Sequence, residues 1–192
     1  MVQLVMGQGV LTEAKFLNDE ELKSLLALLE QSKTKPKTKT EYRDSLLLRL
    51  ALRLSGRSCE ILRLRPKDLG KDTVTLWGAK GSNSRTLPIP IELARELKEY
   101  SKSFSSENRI FPITTRHFRR IWDQYRPNAS KGAHSLRHTG ALKLYSNCRD
   151  LKAVQYMLGQ KEIKNTMVYL DFVEGTQKLR SQMKGMWNRK AI

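Results

Sequence analysis

The chain has 192 residues, of which 39% are hydrophobic and 29% are charged, and this balance predicts one soluble globular domain rather than a disordered chain. Its 36 Lys and Arg against 19 Asp and Glu give a net charge of +17, which predicts a polyanionic partner, with nucleic acid first and an anionic membrane surface second. Two cysteines, Cys59 and Cys148, offer neither a disulfide framework nor a metal cluster. No stretch reaches transmembrane length and no signal peptide is evident, so we expect no membrane association and an intracellular, cytoplasmic protein.

The N-terminal part predicts a leader and then a helix. Residues 1–15 have no clear period and are expected to form a flexible leader. Asn18 is a good N-cap, and Glu21 stands three residues later at the capping-box position, so a helix is expected to start there.

The Lys- and Thr-rich run over residues 31–40 predicts an exposed loop. Lys35 and Lys37 in this run are either part of a solvated linker or contacts to a DNA backbone, and the sequence leaves both interpretations open.

A leucine-rich helix is predicted from about Glu41 to Leu54, followed by a turn at Gly56-Arg57 and a second short helix that carries Glu60. Leucine on most sides of the first helix indicates that it is buried. Taken alone, Arg57 would be interpreted as an arginine that bonds carbonyls at a helix terminus.

Residues 71–90 change to a strand pattern. A strand is predicted over 74–77, a turn over 78–84 that contains Lys80, and a return strand over 85–89. By its surroundings alone, Lys80 would be an ordinary surface lysine.

Two further helices are predicted, one after Pro90 and one over residues 114–126. The second helix has an apolar stripe, and it carries positive charge on Arg116, Arg119 and Arg120. These arginines either face solvent or bind phosphates and guanine edges, and the charge of the whole chain favours DNA binding.

The segment from Ala133 to Phe172 holds two imidazoles, a guanidinium and a phenol, a set able to attack a phosphodiester. It also resembles the C-terminal signature of the tyrosine recombinases, the phage-integrase family. The matching motifs are His134-Ser135-Leu136-Arg137-His138-Thr139, Leu158-Gly159-Gln160 and Tyr169. Gln160 departs from the family pattern, which has His or Trp there.

The resemblance implies roles for residues. It makes Tyr169 the nucleophile, with Arg57, Arg137 and His134 holding the phosphate, and Lys80 on its β-hairpin the general acid for the leaving 5′-oxygen. His134 is expected to shuttle a proton with the phenol. Glu60, His138 and Gln160 become supporting residues, and His138 is expected to brace the site.

For the fold, the order of elements and the resemblance imply a mainly helical α+β catalytic domain over residues 16–172, with a small antiparallel sheet at one edge. Residues 173–192 would be a tail that packs on a neighbouring protomer or on its own domain. The resemblance leaves two alternatives open, a fragment of a longer recombinase and a minimal recombinase.

For the function, the resemblance implies site-specific recombination of double-stranded DNA, by a multimer (a tetramer) on paired sites. The reaction would pass through a 3′-phosphotyrosine link and need no metal, cofactor or ATP. A type IB topoisomerase and a catalytically impaired DNA-binding module stay open as alternatives.

Overall fold

A computed structural model describes residues 11–79, 81–175, 180–181 and 183–184. Eight α-helices and two β-strands occupy this part of the chain. The helices are α1 (Asp19–Thr34), α2 (Lys39–Leu54), α3 (Ser58–Ile61), α4 (Ile91–Ser101), α5 (Thr115–Tyr125), α6 (Ser135–Cys148), α7 (Leu151–Leu158) and α8 (Met167–Leu170). The strands are β1 (Thr73–Leu76) and β2 (Arg85–Pro88).

Helix α2 is the centre of the fold. Its leucines are buried on nearly every side, and it packs against α1 and against α6. The contact with α6 is close, because a Cβ on Gly140 would lie 2.7 Å from the carbonyl oxygen of Leu52. This close crossing brings the C-terminal end of α2 beside the first turns of α6, where most of the candidate catalytic residues lie.

The hydrophobic core has two parts. The larger surrounds α2 and takes in the hairpin, α4 and α5, with Trp122 and Phe111 among its largest buried side chains. The smaller joins α6, α7 and α8 and includes Tyr145 and Tyr169. Met157 packs against both parts, so the end of α7 lies where the two meet.

The two strands pair antiparallel, with Thr73 opposite Pro88 and Leu76 opposite Arg85. This confirms the mainly helical fold with a small antiparallel sheet. The hairpin rests on the end of α7, because the Asn83 amide donates to the Gly159 carbonyl at 2.8 Å.

One boundary differs from the sequence prediction. The capping box at Asn18 and Glu21 is present, but α1 continues to Thr34 and α2 begins at Lys39, so the loop predicted over residues 31–40 shrinks to four residues. Helix α2 ends at Leu54, as expected, and the next residue, Ser55, adopts the left-handed conformation with φ 48°.

The ends of the chain are described only in part. From Leu11 onward the expected leader packs on the domain: Leu11 is buried, and Lys131 Nζ donates to the carbonyls of Glu13 and Phe16. At the other end, Glu174 accepts a hydrogen bond from the Tyr145 hydroxyl. Residues 1–10 and most of the expected tail lie outside the described residues, and the domain limits 16 and 172 stay predictions.

Candidate active site

Arg137 lies in the first turn of α6 and is 4% exposed. Its Nη1 donates to the Ser55 carbonyl at 2.7 Å, and its Nη2 donates to the Leu158 carbonyl at 3.0 Å. Both carbonyls stand at the C-terminal end of a helix, where no intrahelical donor reaches them. Arg137 therefore joins α2, α6 and α7, and its guanidinium is fixed in place by the backbone.

Arg57 follows the turn at the end of α2, and its backbone amide donates to Glu60 Oε2 at 2.9 Å. The Arg57 guanidinium is only loosely paired, with 3.6 Å between its Nη1 and Glu60 Oε1. This Nη1 is buried, and nothing among the described residues accepts a hydrogen bond from it. One donor of this guanidinium therefore stays unsatisfied by the described residues.

Glu60 is 1% exposed and lies between two arginines. Its Oε2 accepts from Arg85 Nη2 at 2.9 Å as well as from the Arg57 amide. Burial acts to raise the pKa of Glu60, but the hydrogen bonds from Arg85 and the Arg57 amide outweigh burial and lower this pKa to about 2. Glu60 is therefore a buried carboxylate that stays ionised.

Arg85 is a residue of this site that the sequence reasoning did not single out. It is 4% exposed on β2, and besides Glu60 it binds the carbonyls of Met157 at 2.7 Å and Asn83 at 3.1 Å. The signal was present in the sequence: Arg85 alternates with Leu87, so the strand pattern places it on the buried face, where a cation needs a partner.

The turn at the end of α7 is where these groups meet. Gly159 has a φ of +64°, and a Cβ there would lie 2.6 Å from Arg85 Nη1 and 2.7 Å from the Asn83 carbonyl. The next residue, Gln160, accepts a hydrogen bond from Thr166 Oγ1 at 2.6 Å through its side-chain oxygen. The Gln160 side chain thus anchors the start of the segment that leads to Tyr169.

Tyr169 lies in the short helix α8 and is 2% exposed. Its hydroxyl is 3.0 Å from Nδ1 of His138, the residue expected to brace the site. Burial raises the pKa of Tyr169 to about 12, against the opposing influence of Arg137. Burial, followed by the positive charges of His134, Arg137 and Lys15, lowers the pKa of His138 to about 4. At neutral pH the phenol is therefore protonated and the imidazole is neutral.

His134 caps the N-terminus of α6, one turn before His138, and the two rings meet edge to face with centroids 5.3 Å apart. Partial burial, followed by the charges of Arg137 and Arg57, lowers the pKa of His134. The same two causes, burial and then Arg57, lower the pKa of Arg137 to about 10. Arg57, His134 and Arg137 thus lie close enough to influence one another electrostatically.

A cleft of about 370 Å³ opens beside these residues. Gly56 and Ser58 line one side, His134 and Arg137 another, and Arg119 of α5 a third. The cleft has the size and charge to take a phosphate group of a nucleic acid. Arg119 is the member of the α5 arginines that reaches it.

The other predicted DNA-binding residues are at the surface. Arg116 and Arg120 are exposed on α5, whose opposite face, including Phe118 and Trp122, is buried. Lys35 and Lys37 are exposed in the short loop between α1 and α2.

Tyr156, a second phenol beside the hairpin, is 57% exposed and donates to the Thr86 carbonyl at 3.3 Å. Lys80, the predicted general acid, lies outside the described residues. Within the part of the chain that the structure describes, no helix is long and apolar enough to cross a bilayer.

Comparisons with known proteins identify the family of this chain. The sequence profile of the phage integrase family matches residues 15–174. Tyrosine recombinase XerA of Thermococcus kodakarensis is 29% identical over 169 residues, which are 81% of this chain and 57% of that protein. The chain therefore spans little more than half the length of this relative.

Solved structures show the same fold. The XerH site-specific recombinase bound to difH substrate, in a pre-cleavage complex, matches 87% of this chain and 53% of its own with a TM-score of 0.67 and 26% identity. The catalytic domain of bacteriophage HP1 integrase matches 92% of this chain and 98% of its own with a TM-score of 0.62 and 21% identity. Because the family profile covers most of its length, this chain belongs to the phage integrase family of tyrosine recombinases.

Proposed function

We propose that this chain is the DNA-cleaving and rejoining domain of a site-specific tyrosine recombinase. The observation that carries the proposal is a cleft lined by Arg137 and His134, with Arg57 close enough to act on both electrostatically and with Tyr169 hydrogen-bonded to His138. Family membership supports the reaction class. DNA in the structure of the XerH relative supports double-stranded DNA as the partner.

The first requirement of the reaction is charge neutralisation. A phosphodiester already carries negative charge, and more charge develops on its nonbridging oxygens in the transition state. One N–H group of Arg57 has no acceptor among the described residues. Arg137 is held in place by two backbone carbonyls and keeps further N–H groups for the phosphate. Guanidinium groups stay protonated and bond oxygens in pairs, so they suit this task. His134 at the mouth of the cleft adds a further contact.

The second requirement is bond exchange. The Tyr169 oxygen attacks phosphorus, the bond from phosphorus to the 5′-oxygen breaks, and the products are a 3′-phosphotyrosine and a 5′-hydroxyl. We assign to Lys80 the proton that the leaving oxygen needs. The energy of the broken ester is kept in the new one, so the reverse attack by a 5′-hydroxyl rejoins a strand without ATP or a metal.

The third element is the DNA-binding surface. Arg119 extends the cleft along α5, and Arg116 and Arg120 continue the positive charge on the exposed face of that helix. Lys35 and Lys37 offer further phosphate contacts. We propose that four copies act together on paired sites inside the cell, since exchange between two duplexes requires four strand cleavages.

The test is covalent capture on DNA. The substrate is a library of duplexes with a randomised arm and a nick close to the expected cleavage position. After cleavage the short strand between the cut and the nick diffuses away, so the strand cannot be rejoined and the covalent protein–DNA adduct accumulates. We expect a protein–DNA band on a denaturing gel that is absent with Tyr169→Phe. Tyr156→Phe, a matched control on an exposed phenol, should leave the band unchanged. No band for the unchanged protein would contradict the proposal and favour a binding module.

The same substrate separates attack in the chain's own site from attack in a neighbour's. The hydrogen bond between Tyr169 and His138 joins two residues of one chain, so it supports attack by Tyr169 within the active site of its own chain. A mixture of Tyr169→Phe and Arg137→Ala proteins should then yield no adduct, whereas recovery of cleavage would mean that the tyrosine is donated to a neighbour. Supercoil relaxation without exchange between two sites would indicate a topoisomerase instead.

A further inference from the structure

Of the two histidines in the motif, His138 is the one that touches the nucleophile. Its Nδ1 lies 3.0 Å from the Tyr169 hydroxyl oxygen, whereas His134 stands one turn earlier and faces the cleft. Residues four apart on a helix share one face, so α6 presents both rings on the same side, His134 toward the phosphate position and His138 toward the phenol.

Two directions are open to this hydrogen bond. Burial and neighbouring cations keep His138 neutral at neutral pH, and burial keeps Tyr169 protonated. A neutral imidazole has one nitrogen that accepts and one that donates, and a phenol oxygen can do either. In the tautomer of His138 that carries its proton on Nε2, the phenol donates to Nδ1, and the phenol proton then points at a nitrogen able to take it.

We propose that His138 is a catalytic residue, the base that takes the proton of Tyr169 during strand cleavage and returns it during rejoining. This inference rests on the proposed function. As the Tyr169 oxygen forms its bond to phosphorus, its proton moves to Nδ1 of His138, and the 5′-oxygen leaves with a proton from another donor. In the reverse step the 5′-hydroxyl attacks phosphorus, Tyr169 leaves, and His138 gives the proton back.

The surroundings of His138 account for the timing of this transfer. Besides Tyr169 itself, three titratable groups act on the charge of His138, and all three disfavour its protonation in the free protein: His134, Arg137 and Lys15. A bound phosphate places negative charge among these same groups, and this charge stabilises an imidazolium. The phenol loses its proton most easily as its oxygen bonds to phosphorus. Proton transfer is thus coupled to the attack and does not precede DNA binding.

The matched variant is His138→Asn. The asparagine Oδ1 stands one bond beyond Cγ, as Nδ1 does, so it accepts the same hydrogen bond from Tyr169, but an amide does not take up a proton at neutral pH. A residue that only holds the phenol in place would be replaced well by asparagine. General base catalysis contributes about 10²–10⁴ in rate, so a loss of at least ~100-fold in adduct formation is expected at neutral pH.

The pH profile gives the decisive readout. The unchanged protein should form the adduct at a rate that is constant between about pH 6 and pH 8, because His138 is neutral throughout this range. For His138→Asn the rate should rise about tenfold per pH unit, since hydroxide must remove the phenol proton instead. The control His134→Asn should lower the rate without giving the profile a slope. The thermal stability of both variants, and DNA binding by His138→Asn, should match the unchanged protein.

Several outcomes would overturn the inference. A wild-type rate for His138→Asn, or the same fractional loss at every pH, would assign His138 to holding the tyrosine only. If the variant does not fold, ¹⁵N NMR of the unchanged protein tests the same point: a protonated Nδ1 on neutral His138 would overturn the assignment. No adduct from the unchanged protein, by contrast, would refute the proposed function itself before any variant is compared.

Discussion

The ion pair of Arg85 and Glu60 predicts a large and pH-dependent loss of stability in Arg85→Met. The side chains of this pair are 1% and 0% exposed, so water cannot replace the lost partner. Methionine would leave the buried Glu60 carboxylate with only the Arg57 amide and the loosely paired Arg57 guanidinium, and it would remove the donor to the Met157 carbonyl. Breaking a buried ion pair from one side costs about 3–5 kcal/mol.

The pKa of Glu60 gives the pH dependence of this loss and the net stabilisation that Arg85, the Arg57 amide and Ser82 provide against burial. A carboxyl whose pKa falls from 4.5 unfolded to about 2 folded stabilises the folded state above about pH 4.5, and this stabilisation disappears as the pH falls toward 2. The lowered pKa corresponds to about 3 kcal/mol, because one pKa unit equals ~1.4 kcal/mol. The difference between wild type and Arg85→Met should therefore be largest at neutral pH and should shrink in acid.

Urea unfolding of both proteins at about pH 7 and about pH 4 measures this difference. Arg49→Met is the matched control, because Arg49 also pairs with a glutamate, Glu96, but at a site where the side chains are 13% and 11% exposed. We expect the control to lose about 2 kcal/mol, as for other hydrogen bonds to charged groups. A loss in Arg85→Met below that of the control, or one that grows in acid, would refute the reasoning.

Three further predictions concern a glycine turn, a helix N-cap and the DNA-binding surface. Gly159→Ala should lower the free energy of unfolding in urea by about 2–4 kcal/mol, because the new Cβ would clash with Arg85 and alanine is strained in the left-handed conformation. The control Gly81→Ala, with a φ of +77° and nothing within 4 Å, should lower it by only about 1 kcal/mol. Asn18→Ala should lower the melting temperature through the loss of about 1 kcal/mol of capping, and Asn18→Ser should restore it. Arg120→Ala should reduce the salt dependence of DNA binding by a slope of about 0.9, as measured by fluorescence anisotropy, whereas Lys102→Ala, already paired with Glu99, should leave the slope unchanged.

Most secondary-structure elements could be predicted from short stretches of sequence. The capping box at Asn18, the proline before α4 and the period-two pattern of the hairpin are decided by residues close in sequence, and each element formed where expected. The prediction of a loop over residues 31–40 was wrong in its first part, because Lys and Thr are tolerated on an exposed helix face. The first part of that run simply extends α1 by another turn.

The site shows where sequence reasoning stops. Motif spacing placed Arg57, Arg137 and Tyr169 in one constellation, but it did not show which histidine contacts the phenol. That choice depends on how α8 packs on α6, a contact between segments some thirty residues apart. The role of Arg85 depends in the same way on Glu60, which lies 25 residues away.

The most direct test of the central claim is the chemical identity of the DNA link. Proteolysis of the trapped adduct, followed by mass spectrometry, should find a single peptide that carries a nucleotide, with the phosphate joined to Tyr169 and to the 3′ end of the cleaved strand. A link at another residue, a link to a 5′ end, or no link after capture on the nicked library would contradict the account.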